Sequence, residues 1–460
     1  MSVDDHRQLP SIRMLAAHGA AWARSVLRGG DDHALAQRTA IGAFVVRALG
    51  AVVAYLSQVV MARWMGGFEY GIFVFVWVWV TILGMLSALG LNMSVVRFVP
   101  QFSQLGDLAR LRGILLSSRL IGFSVSTVMA LCAAGVILAL GDAIEGYYVL
   151  PFVLTLIAMP LFTVTDIQDG IARSYSWPVL ALAPNYLVRP LLILAILAGA
   201  IIVGEQPTAR LAALASVAAT WIAAIGQLVV LRRRLAGIIP SGPSSVEPVA
   251  WVRASLPLLL VDGFYMLLAN TDVLVLGRYH DPAEVAVYFA ALKTLALVQF
   301  VSFAVSTASG HRFSQYHAAG DRARLEAFVR DAVKWTFWPS LAAALFVLAV
   351  GEPLLMLFGP DFTHGYYLMF ILAIGLIIRA AFGPLERLLN MLGHERACAG
   401  VLMVTVAVNL ALNFALIPRI GLAGAACATS AAVALESILL FNLARRRIGL
   451  SVSIWHAKPD

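Results

Sequence analysis

Apolar runs of about 20 residues, separated by short polar breaks, recur from residue 39 almost to the end of the chain. That length is what a helix needs to cross the hydrocarbon core of a bilayer. The pattern predicts twelve spans, at 39–62, 72–96, 113–140, 147–167, 178–203, 208–231, 251–276, 284–309, 334–358, 366–392, 397–417 and 420–443. The connections are short, and the longest polar stretches are the N-terminal tail and the turn near 232–250. No soluble domain fits between the spans.

The polar breaks repeat. Gly-Asp-Leu-Ala-Arg-Leu at 106–111 returns as Gly-Asp-Arg-Ala-Arg-Leu at 320–325, each after the second span of its half. Arg97-Phe98 matches Arg312-Phe313 upstream, and Leu111, Ile114 and Leu115 match Leu325, Phe328 and Val329 downstream. Gly-Tyr-Tyr opens the fourth span at 146–148 and the tenth at 365–367, while Arg63 and Glu69 match Arg278 and Glu284. Ordered matches at nearly constant spacing mark an internal duplication. Each hexamer reads as a short amphipathic helix leading into the next span. The expected architecture is all-α and polytopic, two pseudo-symmetric six-helix lobes around a central cavity. An even number of spans per lobe makes the repeat parallel, about an axis along the membrane normal. The domains expected are a cytoplasmic tail at 1–38, a first lobe at 39–234, a linker at 235–250, a second lobe at 251–447 and a tail at 448–460. Two lobes flanking a cavity favour a transporter over an enzyme.

Composition agrees, with 61% hydrophobic and 13% charged residues among 460. The net charge of +8 matters through its placement. With the N-terminus inside, the clusters Arg232–Arg234 and Arg445–Arg447 and most other basic connection residues are cytoplasmic. Arg63, Arg210, Arg278 and Arg419 alone lie outside, as the positive-inside rule requires. The expected location is the cell (inner) membrane with both termini cytoplasmic. Basic residues that punctuate span ends argue against nucleic-acid binding. Residues 10–28 predict an amphipathic helix on the cytoplasmic leaflet, with Arg13, Arg24 and Arg28 facing away from Ile12, Leu15 and Trp22, the alternative being a loosely ordered tail. The tail has no uninterrupted apolar core of the signal-peptide kind. Cys132, Cys398 and Cys427 show no pairing pattern, and the histidines form no metal-binding spacing. No metal and no cofactor is expected.

Candidate chemistry lies in the charges inside the spans. Arg47, Arg119, Arg189, Lys293 and Arg379 fall there, with Asp262, Asp272, Glu386 and Glu436. Each costs about 2.5–3.5 kcal/mol at mid-helix, so all nine facing lipid would cost about 25 kcal/mol, more than a domain's net stability. They are expected to face each other or water. Helical spacing supports interior polar stripes: Arg47, Ala51, Ala54 and Gln58; Asn185 and Arg189; Arg379, Gly383, Glu386 and Asn390; Thr405, Asn409 and Asn413. In the first lobe Arg47, Arg119 and Arg189 are read as having no acidic counterpart, which predicts an anion site. In the second lobe Asp262, Asp272 and Glu386 are expected to form an ion-coupling or gating network beside Lys293 and Arg379. The bland readings are snorkelling for Arg119 and Arg47, a structural ion pair for Glu386 with Arg379, and a cap or an Arg278 pair for Asp272.

Three segments carry a family resemblance: ARWMGGFEYGIF (62–73), NTDVLVLGRYHDPAEVAVYFAALK (270–293) and NFALIPRIGLAGAACATS (413–430). With LFGPDFTHGYY at 357–367, they resemble the polysaccharide-type transporters of the multidrug/oligosaccharidyl-lipid/polysaccharide flippase superfamily, over about residues 38–447. Ala286 stands where that family commonly has Gly, whereas the first lobe keeps Gly71. The resemblance implies a flippase of the O-antigen or exopolysaccharide kind. Such a protein moves polyprenyl-diphosphate-linked oligosaccharide to the outer leaflet by alternating access around a cationic cavity. Arg47 and Asp272 carry over best by position; Arg189, Lys293 and Arg379 rest on depth and charge. The partners implied are the lipid-linked oligosaccharide, membrane lipids, a polysaccharide polymerase and a chain-length regulator. A multidrug extruder of the same superfamily stays open, though extruders favour acidic cavities. A major-facilitator transporter also has twelve spans, but Ser-Gln-Leu-Gly-Asp-Leu-Ala-Arg-Leu-Arg-Gly at 103–113 lacks its usual loop signature. No outside connection is long enough for a polymerase site, and no Gly-x-x-x-x-Gly-Lys loop supports ATP hydrolysis.

Overall fold

The computed structural model describes residues 32–450 together with 453 and 454. The interfacial helix expected at 10–28 lies outside them. Within them the chain is helical, and no strand forms among the described residues. The first half contains α1 (Asp32–Ser87), α2 (Leu91–Gln104), α3 (Leu108–Leu140), α4 (Gly146–Leu156), α5 (Met159–Ser174) and α6 (Pro178–Ala183). A π-helical turn at Pro184–Val188 joins α6 to α7 (Arg189–Ile202), and α8 (Ala209–Ala236) follows. The second half contains α9 (Pro248–Leu268), α10 (Thr271–Tyr279), α11 (Pro282–Leu295), α12 (Gln299–Ala318), α13 (Arg322–Ala349), α14 (Gly351–Met356), α15 (Tyr366–Phe382), α16 (Leu385–Met391) and α17 (Glu395–Arg447).

Nine helical stretches among the described residues are apolar and long enough to cross a membrane, and the α4–α5 pair, bent by 48°, makes a tenth. Two of the nine are too long for one crossing, at 61 and 53 residues. Each contains a non-helical break, at Gly66 in α1 and at Ile420–Gly421 in α17. Counting each as two crossings gives the twelve expected. Two expected spans are less simple than the apolar pattern suggested. The tenth, at 366–392, breaks at Gly383, and the seventh breaks at Ala269–Asn270.

The repeated hexamer proves to be a helix start. Gly106 and Gly320 take φ of 68° and 69°, a left-handed conformation that glycine adopts without strain. Asp107 then accepts the backbone N–H of Arg110 at 3.0 Å, and Asp321 accepts that of Arg324 at 3.0 Å. Each carboxylate caps the third helical N–H, which would otherwise lack a partner. No separate amphipathic helix forms; the apolar positions after each hexamer belong to the first turns of α3 and α13.

Helices α1–α8 pack mainly on one another, as do α9–α17. The two groups meet most extensively where α1 crosses α11. There Gly71 lies so close to the backbone of Pro282 that a Cβ could not be accommodated, and Gly67 faces Ala283. One buried apolar cluster spans this crossing, containing Tyr70, Val74, Val285, Phe289 and Phe362. Towards the end that carries the triple-Arg clusters the core divides. One cluster there includes Leu91, Ile114, Ile171 and Leu231; the other includes Phe313, Leu325, Leu388 and Leu440. A shared core at one end and separate cores at the other leave room between the lobes. Helix α9 is the exception, because Trp251 joins the first lobe's cluster while later turns of α9 pack on α17.

Candidate functional site

Two cavities lie among the helices, one lined from both lobes and one lined by the second lobe alone. The first, about 350 Å³, is lined by Gln58, Trp77, Phe162, Asp166, Asn185 and Arg189 among others. The π-helical turn Pro184–Val188 precedes Arg189 and is followed by Pro190, so the local backbone is set by two prolines. Extra-wide turns of this kind recur at functional sites because they re-aim the side chains that follow. The Arg189 guanidinium lies 5.3 Å from the Trp77 ring centroid and 5.1 Å from that of Phe162. Its hydrogen bond is to Asn185 Oδ1 at 3.4 Å. Among the described residues no carboxylate pairs with it within 4 Å. Aromatic faces and an amide thus hold a cation whose charge is left uncompensated.

The second cavity, about 470 Å³, is lined by Phe303, Arg379, Gly383, Glu386, Asn390 and Glu436 among others. All four members of the predicted Arg379–Asn390 stripe line it, although the helix is interrupted at Gly383, where φ is 67°. Arg379 lies 4.0 Å from Glu386 and 3.8 Å from Glu436, and Glu436 is almost wholly buried. This cation is shared between two carboxylates. Arg47 stands between the cavities. Its guanidinium lies 4.2 Å from the centroid of Phe303, which lines the second, and 5.9 Å from that of Tyr186, which lines the first.

Other predicted site residues are placed elsewhere. Arg119 lines neither cavity; its Nε donates to Leu115 O one turn back on its own helix. Asp272 also lines neither. It is buried where α10, α11 and α17 meet, accepting hydrogen bonds from Tyr288 and Thr429 and from the Val273 backbone N–H. It does not pair with Arg278, which lies against Tyr279. Lys293 has its Nζ 4.7 Å from the Phe289 ring centroid and interacts electrostatically with Asp272. Asp262, Asp272 and Glu386 are therefore in three separate places and form no single network.

The expectation that the first lobe's cations lack an acidic counterpart is corrected for Arg47, which interacts electrostatically with Asp169; among the described residues no carboxylate pairs with Arg119 or Arg189. Asp166 and Asp169 stand on one face of α5, and Asp169 pairs with Arg173 at 3.0 Å. Asp262 on α9 faces the same group across the lobes, with Asn92 beside both Asp166 and Asp262. Asp166 fell inside a predicted span and was the signal that could have revealed this cluster. It lines the first cavity, but its charged neighbours are Asp169, Arg173 and Asp262, not Arg189. The stripe Asn409–Asn413 is fully buried and bonded to itself, with Asn413 Nδ2 donating to Asn409 O at 2.9 Å.

Known proteins match the sequence and the fold. The family model described as polysaccharide biosynthesis protein matches residues 38–317, more than half of the chain. The chain belongs to that family. The MatE model matches residues 257–415. Among curated relatives, a probable low-salt glycan biosynthesis flippase, Agl15 of Haloferax volcanii, is 25% identical over 169 residues, 36% of each chain. A probable multidrug resistance protein, NorM of Deinococcus radiodurans, is 29% identical over 228 residues, 45% of this chain and 48% of that protein. The chain thus spans less than half the length of the curated relatives it matches. An inward-facing MATE family transporter of the MOP superfamily superposes with a TM-score of 0.71 at 12% identity, over 88% of this chain and 98% of that one. An outward-facing one gives 0.62 at 15% identity, over 92% and 97%. The lipid II flippase MurJ, in an inward closed conformation, gives 0.69 at 14% identity, over 88% and 87%. The chain thus shares the fold of these membrane transporters, and the curated relatives it matches are named as a glycan biosynthesis flippase and a multidrug resistance protein.

Proposed function

We propose that the protein translocates polyprenyl-diphosphate-linked oligosaccharide from the cytoplasmic to the outer leaflet of the cell membrane, for a surface polysaccharide pathway. The observation that carries this reading is Arg189, a cation against Trp77 and Phe162 in a cavity wall, with no carboxylate partner among the described residues. A diphosphate supplies the missing charge, and a guanidinium matches its oxygens in bidentate fashion. Arg47, between the two cavities, offers the next cation along the interface. The match to the glycan flippase of Haloferax volcanii supports the substrate class. The lobes divide at the triple-Arg end, which the positive-inside rule assigns to the cytoplasm, so the conformation is the one that loads from inside. Closer superposition on the inward-facing transporter supports that assignment.

A second reading is favoured by a specific observation. Asp166, Asp169 and Asp262 form an acidic cluster suited to an organic cation or a coupling ion, and a multidrug resistance protein is among the relatives. Lipid mass spectrometry on a strain lacking the protein separates the two. The flippase reading predicts accumulation of diphosphate-linked oligosaccharide and loss of surface polysaccharide. An unchanged lipid pool with raised sensitivity to cationic drugs would sink it.

A further inference from the structure

A third cavity lies at the triple-Arg end of the second lobe and shares no lining residue with the two described above. Its volume is about 300 Å³, and its lining includes His317, Arg322, His394 and Arg447 above Leu325 and Leu450. It forms between the turn that opens α13 and the turn that ends α17. Among the described residues, no carboxylate lines it. Arg322 is anchored there by a hydrogen bond from Nη2 to Gly449 O at 3.3 Å. Gly449 has φ of 71°, and a Cβ there would press against the guanidinium, so the chain wraps closely around it. Arg447 makes no ion pair or hydrogen bond among the described residues.

The duplication provides an internal control. In the first lobe Leu108 stands where Arg322 stands in the second, and the chain itself covers the equivalent turn. Ser245 N–H donates to Ala109 O at 3.0 Å. Arg112 donates to Pro243 O at 2.8 Å and to Pro240 O at 3.0 Å, and Arg110 pairs with Glu247 at 2.9 Å. The first copy's basic side chains thus spend their donors on linker carbonyls and a carboxylate. In the second copy Arg322 replaces Leu108 and Glu326 replaces Arg112, and among the described residues a cavity with unused guanidinium donors stands at the same place.

We propose that this cavity binds a phosphate group, carried by a phospholipid headgroup at the membrane face or by a soluble phosphate. Two guanidinium groups supply forked N–H donors that match phosphate oxygens, and each imidazole adds one N–H even when neutral. Leu325 and Leu450 form an apolar floor that suits the glycerol end of a lipid better than a hydrated ion. The site is independent of the translocation cavities, and its occupation ties the end of α17 to the start of α13.

The test uses purified full-length protein, freed of lipid in detergent and titrated in two arms. One arm adds dioleoyl phosphatidylglycerol in mixed micelles, with dioleoyl phosphatidylcholine as the reference. The other adds inorganic phosphate alone. Retained ligand is read by native mass spectrometry, and folding by circular dichroism. Arg322→Leu installs the residue of the first copy, and Arg447→Gln changes an exposed helix end. Loss of one charge-assisted contact weakens binding by about tenfold in either variant. Arg445→Gln removes the same charge outside the cavity and leaves binding unchanged. Phosphatidylglycerol binding lost in the two cavity variants upholds the site with a lipid source. A response to inorganic phosphate alone, lost in the same variants, upholds it with a soluble source. Equal weakening in all three variants, or none in Arg322→Leu and Arg447→Gln, overturns the proposal.

Discussion

Arg189 and Arg379, which each line one of the two cavities, differ in how their charge is satisfied. Arg379 has Glu386 and Glu436 within 4.0 Å, whereas Arg189 has ring faces and one amide. The difference predicts opposite consequences of removal. Arg189→Ala leaves no orphaned charge, so the protein folds and inserts normally while transfer of diphosphate-linked substrate in proteoliposomes is lost. Arg189→Lys restores part of it, keeping the charge without the fork. Arg379→Ala instead strands Glu436, which is 3% exposed, at a cost of about 3 kcal/mol, read as a lowered midpoint of thermal unfolding. A stable but inactive Arg379→Ala, or an active Arg189→Ala, would reverse these roles. Arg189 and Arg379 were legible in the sequence because a charge deep in an apolar run has few places to go. Asp166 and Asp169 were harder to place, since they straddle the end of the fourth span, where depth alone does not separate a solvated charge from a buried one.

At the scale of elements, the repeat marked a joint. The paired hexamers show in sequence as a coincidence of letters and in structure as two equivalent caps, Asp107 on α3 and Asp321 on α13. Asp107→Ala and Asp321→Ala each cost about 1 kcal/mol, the usual worth of such a cap, and both are measured against the same wild-type unfolding curve. Equal losses mark equivalent joints; a loss at one site only means that the linker over the first copy has taken over the cap's role. Periodicity gave the spans, but their internal breaks were hidden. Nothing in the apolar count distinguishes Gly383, which breaks a helix, from Gly375, which packs against Ser430 inside one. The break matters for the site, because it brings Glu386 and Asn390 to the cavity wall that Arg379 already lines.

At the scale of the whole molecule, a shared core at one end and separate cores at the other define where movement is possible. Close packing resists continuous deformation, so a change of access proceeds by separating one interface and forming another. On the proposed flippase reading, the interface that must separate is the α1–α11 crossing, where Gly71 admits Pro282 and Gly67 faces Ala283. A Cβ built on Gly67 lies 3.7 Å from Ala283 Cβ, within the range of a disulfide. The double variant Gly67→Cys and Ala283→Cys, with Cys132, Cys398 and Cys427 replaced by Ala, therefore cross-links across the lobes without backbone movement. Oxidation holds that end shut and stops transport, and dithiothreitol restores it. The expectation is specific to the crossing: a cysteine pair within one lobe leaves transport unchanged under oxidation. Full transport by the verified cross-linked protein would mean that the lobes need not part there. The substrate path would then have to leave through the side of a lobe.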